Sequence, residues 1–202
     1  MSLTAGVSFV CLAALVGIPL GLLAGYQRSV VDALIMRICD ALWAFPTLVL
    51  ALAITAALGP NLVNILLAVG IVFTPVFARL ARAETLALRQ RDFVVAAISV
   101  GSGTGRLLRV HVLPNILPSI VVQASLLAGS AMLIEASLGF LGVGVRPPTP
   151  SWGADLRDGA RFMRQAWWMS VFPGLALFVT VLAINVVGDG LRRVLDPRLR
   201  AK

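Results

Sequence analysis

Long stretches without a charged residue constrain this chain more than any other feature of its sequence. Residues 3–25 and 166–188 each hold 23 uncharged positions, and 38 more lie between Asp40 and Arg79. A helix that crosses the hydrocarbon core of a bilayer needs about 20 mostly apolar residues. Apolar residues make up 59% of the chain and charged residues 13%, far from soluble domains. The sequence therefore predicts an all-α, polytopic transmembrane helical bundle.

Turn and capping signals divide these runs into five spans. Gly59-Pro60-Asn61 is strong turn chemistry and splits the central run into a helical hairpin. Another span follows Asn115, where Pro118 lies in the first turn and its missing amide costs nothing. Pro46 and three further prolines fall inside spans, where they can introduce kinks. The predicted spans are 3–25, about 38–58, about 62–79, 115–134 and 166–188.

The basic residues predict the orientation of these spans. Loops 26–40, 79–111 and 189–202 carry 13 of the 17 Lys and Arg residues, whereas loops 59–61 and 140–165 carry 4. Because basic residues are retained on the cytoplasmic side, the first three segments are predicted to lie inside, including the C-terminus. The net charge of +8 is thus assigned to membrane topology and anionic lipid head groups, and not to nucleic acid.

A short helix is predicted in the largest inner loop. Asp92 is a good N-cap, and Gly101 can supply the left-handed residue that ends the helix. Ala96 and Ala97 lie between them, and side chains this small allow the backbone of another protein to approach closely. The segment 92–101 is therefore predicted to be a docking helix.

The spacing Ala96-Ala97-x3-Gly101-x9-His111-x-Leu113-Pro114 resembles the cytoplasmic "EAA" loop of ABC-importer permeases, within the dipeptide, oligopeptide and nickel family. The resemblance implies that this loop seats in a groove of an ATPase subunit. It assigns ATPase coupling to seven residues, Asp92, Ala96, Ala97, Gly101, His111, Leu113 and Pro114.

One position departs from the family pattern. The family's Glu falls at Val95, which cannot reach back to the cap amide as in a capping box. Either the loop is slightly less stable here, or the partner groove is more apolar.

The outer loop, about 139–165, carries a second string of residues that resembles the same permeases. The string Pro-Pro-Thr-Pro-Ser-Trp-Gly occupies 147–153, in a loop that the resemblance implies faces a substrate-binding protein. The candidates for that contact are Pro148, Pro150, Ser151, Trp152 and Gly153. The alternative is a rigid external turn that only joins two helices.

Two carboxylates are candidates for an intramembrane role, since ionisable residues in spans are often functional. Glu135 lies near the outer end of a span, where it could instead be hydrated or paired with Arg146. Asp40 lies near the inner end of the second span, with Arg37 as a possible partner one turn earlier. Both alternatives remain open at this point.

The sequence carries no signal for catalysis or for a bound cofactor. His111 is the single histidine, so a metal site is not supported. The glycine-rich segment 101–106 lacks the fingerprint of an ATP-binding loop. We therefore expect no cofactor on this chain and expect ATP and Mg on partner ATPases.

These observations predict that residues 1–202 form a single transmembrane permease domain, with a coupling loop at about 79–114. The resemblance implies half of a translocation pathway for peptides, nickel or other small solutes in a bacterial inner membrane. Its implied partners are a second related permease, two ATPase subunits and an external binding protein, and relatives have one more helix before this region. The rival hypotheses are a proton-coupled secondary transporter using Glu135 and Asp40, and a membrane scaffold without a pore.

Overall fold

The computed structural model describes residues 2–27, 30–145 and 148–195, and all regular elements in these ranges are helical. Arg146 and the tail from position 196 lie outside the described residues, so the suggested pairing of Arg146 with Glu135 is untested. The helices are α1 Ser2–Gln27, α2 Val30–Trp43, α3 Thr47–Leu58, α4 Leu62–Leu88, α5 Asp92–Ser99, α6 Thr104–Arg106, a π-helical turn Leu107–Val112, α7 Leu113–Phe140, α8 Trp152–Arg161 and α9 Trp168–Leu195.

Four helical segments of the described chain are long and apolar enough to cross a membrane. They correspond to α1, α4, α9 and a continuous segment, Thr104–Phe140, that ends with α7. These segments confirm the first, third, fourth and fifth predicted spans, with longer boundaries. In the hairpin between α3 and α4, the Asn61 side chain accepts a hydrogen bond from the Val63 amide at 3.0 Å, as expected of a helix cap.

The second predicted span, 38–58, is not one continuous helix. Its residues belong to α2 and α3, which meet at an angle of 92°. Pro46 stands immediately before α3 with φ −55° and ψ 129°. Because proline lacks an amide hydrogen and disfavours the helical conformation of the preceding residue, it breaks the helix here instead of kinking it.

The core is centred on close packing between α1 and α4. Gly17, Gly21 and Gly25 follow each other at every fourth position, so they lie on one face of α1. A Cβ atom at these positions would lie 2.6, 2.3 and 2.8 Å from backbone carbonyl oxygens of α4. The absence of side chains at these three positions therefore sets the distance between the two helices.

Polar contacts join α1, α2 and α7 to the C-terminal part of α4. Arg82 forms an ion pair with Asp32 of α2, and Glu84 accepts a hydrogen bond from Ser119 of α7 at 3.0 Å. Arg89, just after α4, donates to the backbone oxygen of Tyr26 at the end of α1. The segments leading to α5 are thereby held against the transmembrane bundle.

Candidate functional site

The predicted docking helix is present as α5, but its first turn differs from the prediction. The cap position is Arg91, with φ −81° and ψ 143°, and no side chain bonds the free amides. Asp92 is the first helical residue, so its prediction as the N-cap is wrong. It still places a negative charge in the first turn, where that charge complements the helix dipole.

The end of α5 follows the sequence prediction. Gly101 has φ +81°, in the left-handed region that glycine adopts without strain. The Ser102 amide donates to the Ala97 carbonyl at 3.0 Å, and the Gly101 amide donates to Ile98 at 2.9 Å. This pair of bonds is a Schellman motif, which satisfies the last carbonyls of the helix.

The two alanines of α5 face different environments. Ala97 is 8% exposed and lies in a small cluster with Val94 and Leu107, whereas Ala96 is exposed. The position of the family's Glu, Val95, is 49% exposed. Other large apolar side chains on α5 and at its end are also open to solvent, Phe93, Ile98 and Val100. Large apolar side chains left exposed together on one short helix are typical of an interaction site.

A groove of ≈ 570 Å³ lies beside this exposed surface. His111, which lies ten residues beyond Gly101, reaches it from the π-helical turn, and Arg106 adds a positive charge. Its lining consists of Phe93, Ala96, Ala97, Val100, Gly101, Ser102, Gly103, Arg106 and His111. The structure thus brings four of the seven predicted coupling residues to one groove.

The remaining coupling residues have other surroundings. Asp92 is exposed next to the groove lining. Leu113 packs against the main core, and Pro114 is exposed in the first turn of α7. The backbone oxygen of His111 accepts a hydrogen bond from the Asn115 side chain at 2.7 Å. Leu113 and Pro114 therefore set how α7 begins and do not line the groove.

At the opposite end of α7, the outer loop packs against a buried carboxylate. Ser151 donates a hydrogen bond to Oε1 of Glu135 at 2.9 Å, and these residues are 3% and 2% exposed. The other oxygen, Oε2, has no hydrogen-bond partner. A Cβ at Gly153 would lie 2.3 Å from the Ala136 carbonyl oxygen, so the loop lies directly on α7.

The five outer-loop candidates consequently divide into two groups. Ser151 and Gly153 are buried, and Trp152 packs against a buried cluster that includes Met132. Pro148 and Pro150 are exposed. In the part of the loop that the structure describes, the prolines are thus the candidates accessible to a partner, while the other three attach the loop to the bundle.

Asp40 does not pair with Arg37, as suggested from the sequence. Its Oδ1 accepts a hydrogen bond from Arg79 Nη2 at 2.6 Å, joining α2 to α4. The two partners are 39 positions apart in the sequence. A pairing inferred from residues one helical turn away therefore selected the wrong arginine. Asp40 and Glu135 have different partners and share no hydrogen bond in the described structure.

Comparison with known proteins identifies the family. Residues 17–201 match the family described as "Binding-protein-dependent transport system inner membrane component". The chain belongs to this family. The predicted family resemblance is therefore confirmed. Because the family is one of multi-pass inner-membrane transport permeases, the alternative of a proton-coupled secondary transporter is not favoured.

Individual relatives of this permease include peptide permeases. It is 48% identical over 200 residues to the di/tripeptide transport system permease protein DppC of Pseudomonas aeruginosa, covering 99% of this chain and 66% of that protein. It is 45% identical to the glutathione transport system permease protein GsiD of Pectobacterium atrosepticum, covering 100% of this chain and 67% of the relative. The chain thus spans about two thirds of their length.

The permease fold is also that of solved ABC importers. An inward-facing structure of the MetNI methionine ABC transporter matches with a TM-score of 0.75 at 17% identity, covering 96% of this chain and 93% of the other. A second crystal form of the same transporter matches with a TM-score of 0.73 at 19% identity. The predicted all-α ABC importer permease core is confirmed.

Sequence reasoning missed the ion pair between Asp32 and Arg82 of this permease altogether. Arg82 donates from Nε and Nη2 to both oxygens of Asp32, at 2.6 and 2.7 Å. A local signal for it exists, because Asp32 and Asp40 lie eight residues apart and so share one face of α2. Two carboxylates on one face of a helix in an apolar chain require cationic partners, which α4 supplies.

Proposed function

We propose that this chain is a permease subunit of an ATP-driven importer of small peptides, and that α5 receives the motion generated by an ATPase subunit. The observation that carries the proposal is the exposed apolar surface of α5 beside its groove, on a chain of this permease family. The relatives named for di/tripeptides and glutathione support peptides as the cargo class.

The proposed complex contains a second related permease, two ATPase subunits that bind ATP and Mg, and an external substrate-binding protein. The chain forms half of the pathway, and its outer prolines, Pro148 and Pro150, face the binding protein. The distribution of basic residues supports a cytoplasmic location for α5 and for the C-terminus. ATP-dependent closure of the ATPases moves α5 as a rigid body and switches the pathway between outward and inward access.

The surface of α5 also specifies the kind of groove it fits. Val95 occupies the family's Glu position and is about half-exposed. An ATPase groove that received a carboxylate there would need a cation, and Val95 would leave that cation desolvated and unpaired. We therefore expect an apolar side chain on the partner opposite Val95.

The test is reconstitution of the complete complex in proteoliposomes, followed by ATP-dependent uptake of a radiolabelled dipeptide. Ala96→Trp should leave membrane insertion intact while it lowers both ATPase binding and uptake, because the indole would occupy the docking surface. Gln90→Trp is the matched control, since Gln90 is exposed just before α5 and does not line the groove.

Two results would contradict the proposal. One is wild-type uptake by the Ala96→Trp complex. The other is labelling of Ala96→Cys by an impermeant thiol reagent from the external side of the membrane only, which would place α5 where no ATPase can reach it.

A further inference from the structure

Two ion pairs join α2 to α4, and they differ in the bonding capacity that each leaves open. Arg82 engages both oxygens of Asp32, whose side chain is 15% exposed. Arg79 engages only Oδ1 of Asp40, through Nη2, and the Asp40 side chain is 63% exposed. In the first pair, both carboxylate oxygens of Asp32 thus accept a hydrogen bond from Arg82. In the second pair, an acceptor oxygen on Asp40 and further N–H donors on Arg79 are left outside the single hydrogen bond between them.

The open pair lies towards the C-terminal end of α4, where the predicted span 62–79 ends. Arg79 is 17 residues beyond Leu62, the first residue of α4, and a rise of 1.5 Å per residue places it about 26 Å along the helix. The hydrocarbon core is about 30 Å thick. A charged side chain facing acyl chains costs about 2.5–3.5 kcal/mol or more at the centre of a span, so charges in spans face protein, a water-filled cavity or, near the end of a span, the membrane surface. The exposed side of Asp40 therefore faces a polar space.

An aromatic ring lies beside the exposed ion pair of Asp40 and Arg79. The guanidinium carbon of Arg79 lies 3.9 Å from the centroid of the Trp43 ring, and Trp43 is 52% exposed. This cation–π contact fixes the guanidinium without using its N–H groups. Trp43 is also the last residue of α2, where the chain turns by 92° into α3. A carboxylate, a guanidinium and an indole are thus presented side by side at the bend.

We propose that Asp40, Arg79 and Trp43 form a transit binding site for the charged termini of a peptide within the translocation pathway, an inference that rests on the proposed function. The ammonium group of the peptide binds the open oxygen of Asp40, and its carboxylate binds the open N–H groups of Arg79, both as charge-assisted hydrogen bonds. Trp43 provides an apolar surface that accepts varied side chains. Asp32 and Arg82 are a structural pair with no contact to cargo.

The experiment uses the complete complex, with Ala44→Cys as a reporter in a background where Cys11 and Cys39 are alanine. Ala44 is exposed and adjoins Trp43. A charged methanethiosulfonate reagent modifies only thiols that water reaches. We expect modification of the reporter, and we expect dialanine at about ten times its dissociation constant to slow it about tenfold. N-acetyl-dialanine amide, which carries no charge, should not slow it.

Matched substitutions separate recognition from structure. Asp40→Asn keeps the shape and an acceptor for Arg79 but should abolish protection by dialanine, whereas Asp40→Glu should retain it. Asp32→Asn should lower the yield of intact complex on size exclusion, while the complex that assembles retains protection. This difference is expected because only the pair of Asp40 and Arg79 has open hydrogen-bonding groups.

Three results would overturn the inference: an unreactive reporter, equal protection by the charged and the blocked peptide, or protection that survives Asp40→Asn. ATP-driven uptake by the same wild-type complex is measured in parallel. Normal uptake without protection refutes this site alone, whereas protection without ATP-driven uptake refutes the proposed function and leaves the binding site standing.

Discussion

Gly101→Ala tests whether the ordered end of α5 sets the affinity for the ATPase. Gly101 has φ +81°, and a Cβ atom placed there would meet no other atom within 4 Å. The substitution therefore adds no clash, and its effect comes from the backbone alone. An alanine in the left-handed region costs roughly 1–2 kcal/mol, which corresponds to about a 5- to 30-fold change in an equilibrium.

That cost favours conformations in which the last turn of α5 is frayed and the Schellman bonds are lost. In the proposed function docking uses the ordered turn, so the apparent dissociation constant for the ATPase should rise as the ordered fraction falls. The largest expected loss of affinity is therefore about 5- to 30-fold. Gly101→Asn should lie between wild type and Gly101→Ala, since asparagine tolerates this backbone region better than alanine does.

The assay is titration of the purified permease complex, in lipid nanodiscs, with a fluorescently labelled ATPase subunit. Gly103→Ala is the matched control, because Gly103 also lines the groove and a Cβ there also meets nothing within 4 Å, but its φ is −65°. Equal weakening by Gly101→Ala and Gly103→Ala would refute the reasoning, because it would show that the left-handed conformation has no part in the effect.

Three further predictions concern α1, the outer loop and α8. Gly21→Ala should destabilise the permease by about 1–3 kcal/mol, because its Cβ would lie 2.3 Å from a carbonyl oxygen of α4; Gly190→Ala, with nothing within 4 Å, is the control in thermal unfolding in detergent. Ser151→Ala removes the hydrogen bond to a buried carboxylate and should cost about 1–3 kcal/mol, seen as faster proteolysis of the outer loop, whereas unchanged proteolysis would contradict it. Arg161→Gln should change the unfolding temperature little, corresponding to about 0–1 kcal/mol, because its ion pair is 3.9 Å long and exposed; a larger loss would show an unrecognised contact.

Features that depend on neighbouring residues could be predicted from the sequence. The hairpin at Gly59-Pro60-Asn61 and the left-handed Gly101 depend on local backbone preferences, and both are present. The grouping of residues at the groove beside α5 could be predicted in part, since Ala96 and His111, which line it, follow the spacing of the resembled family. The burial of Ala97 was not, because it depends on α5 packing against the turn that contains Leu107.

Contacts between residues far apart in the sequence could not be predicted in this way. The ion pair between Asp40 and Arg79 and the hydrogen bond between Glu135 and Ser151 join residues 39 and 16 positions apart. The hydropathy pattern also placed the start of the second span too far along the chain, at about residue 38. The charged residues in α2 obscured a helix that starts at Val30. The charges of Asp32 and Asp40 are neutralised by Arg82 and Arg79 of α4, and a sequence window that covers one helix cannot include the residues that neutralise them.

The glycine face of α1 determines which motions the bundle can make. At successive turns of α1, Gly17, Gly21 and Gly25 each allow a backbone oxygen of α4 to approach closely. Sliding α1 by a fraction of the 5.4 Å helical pitch would bring bulkier side chains against those oxygens. We therefore expect the two helices to tilt together as one rigid unit. In the proposed orientation, force received at the C-terminal end of α4 would then reach the far side of the bilayer without being lost to slippage between the two helices.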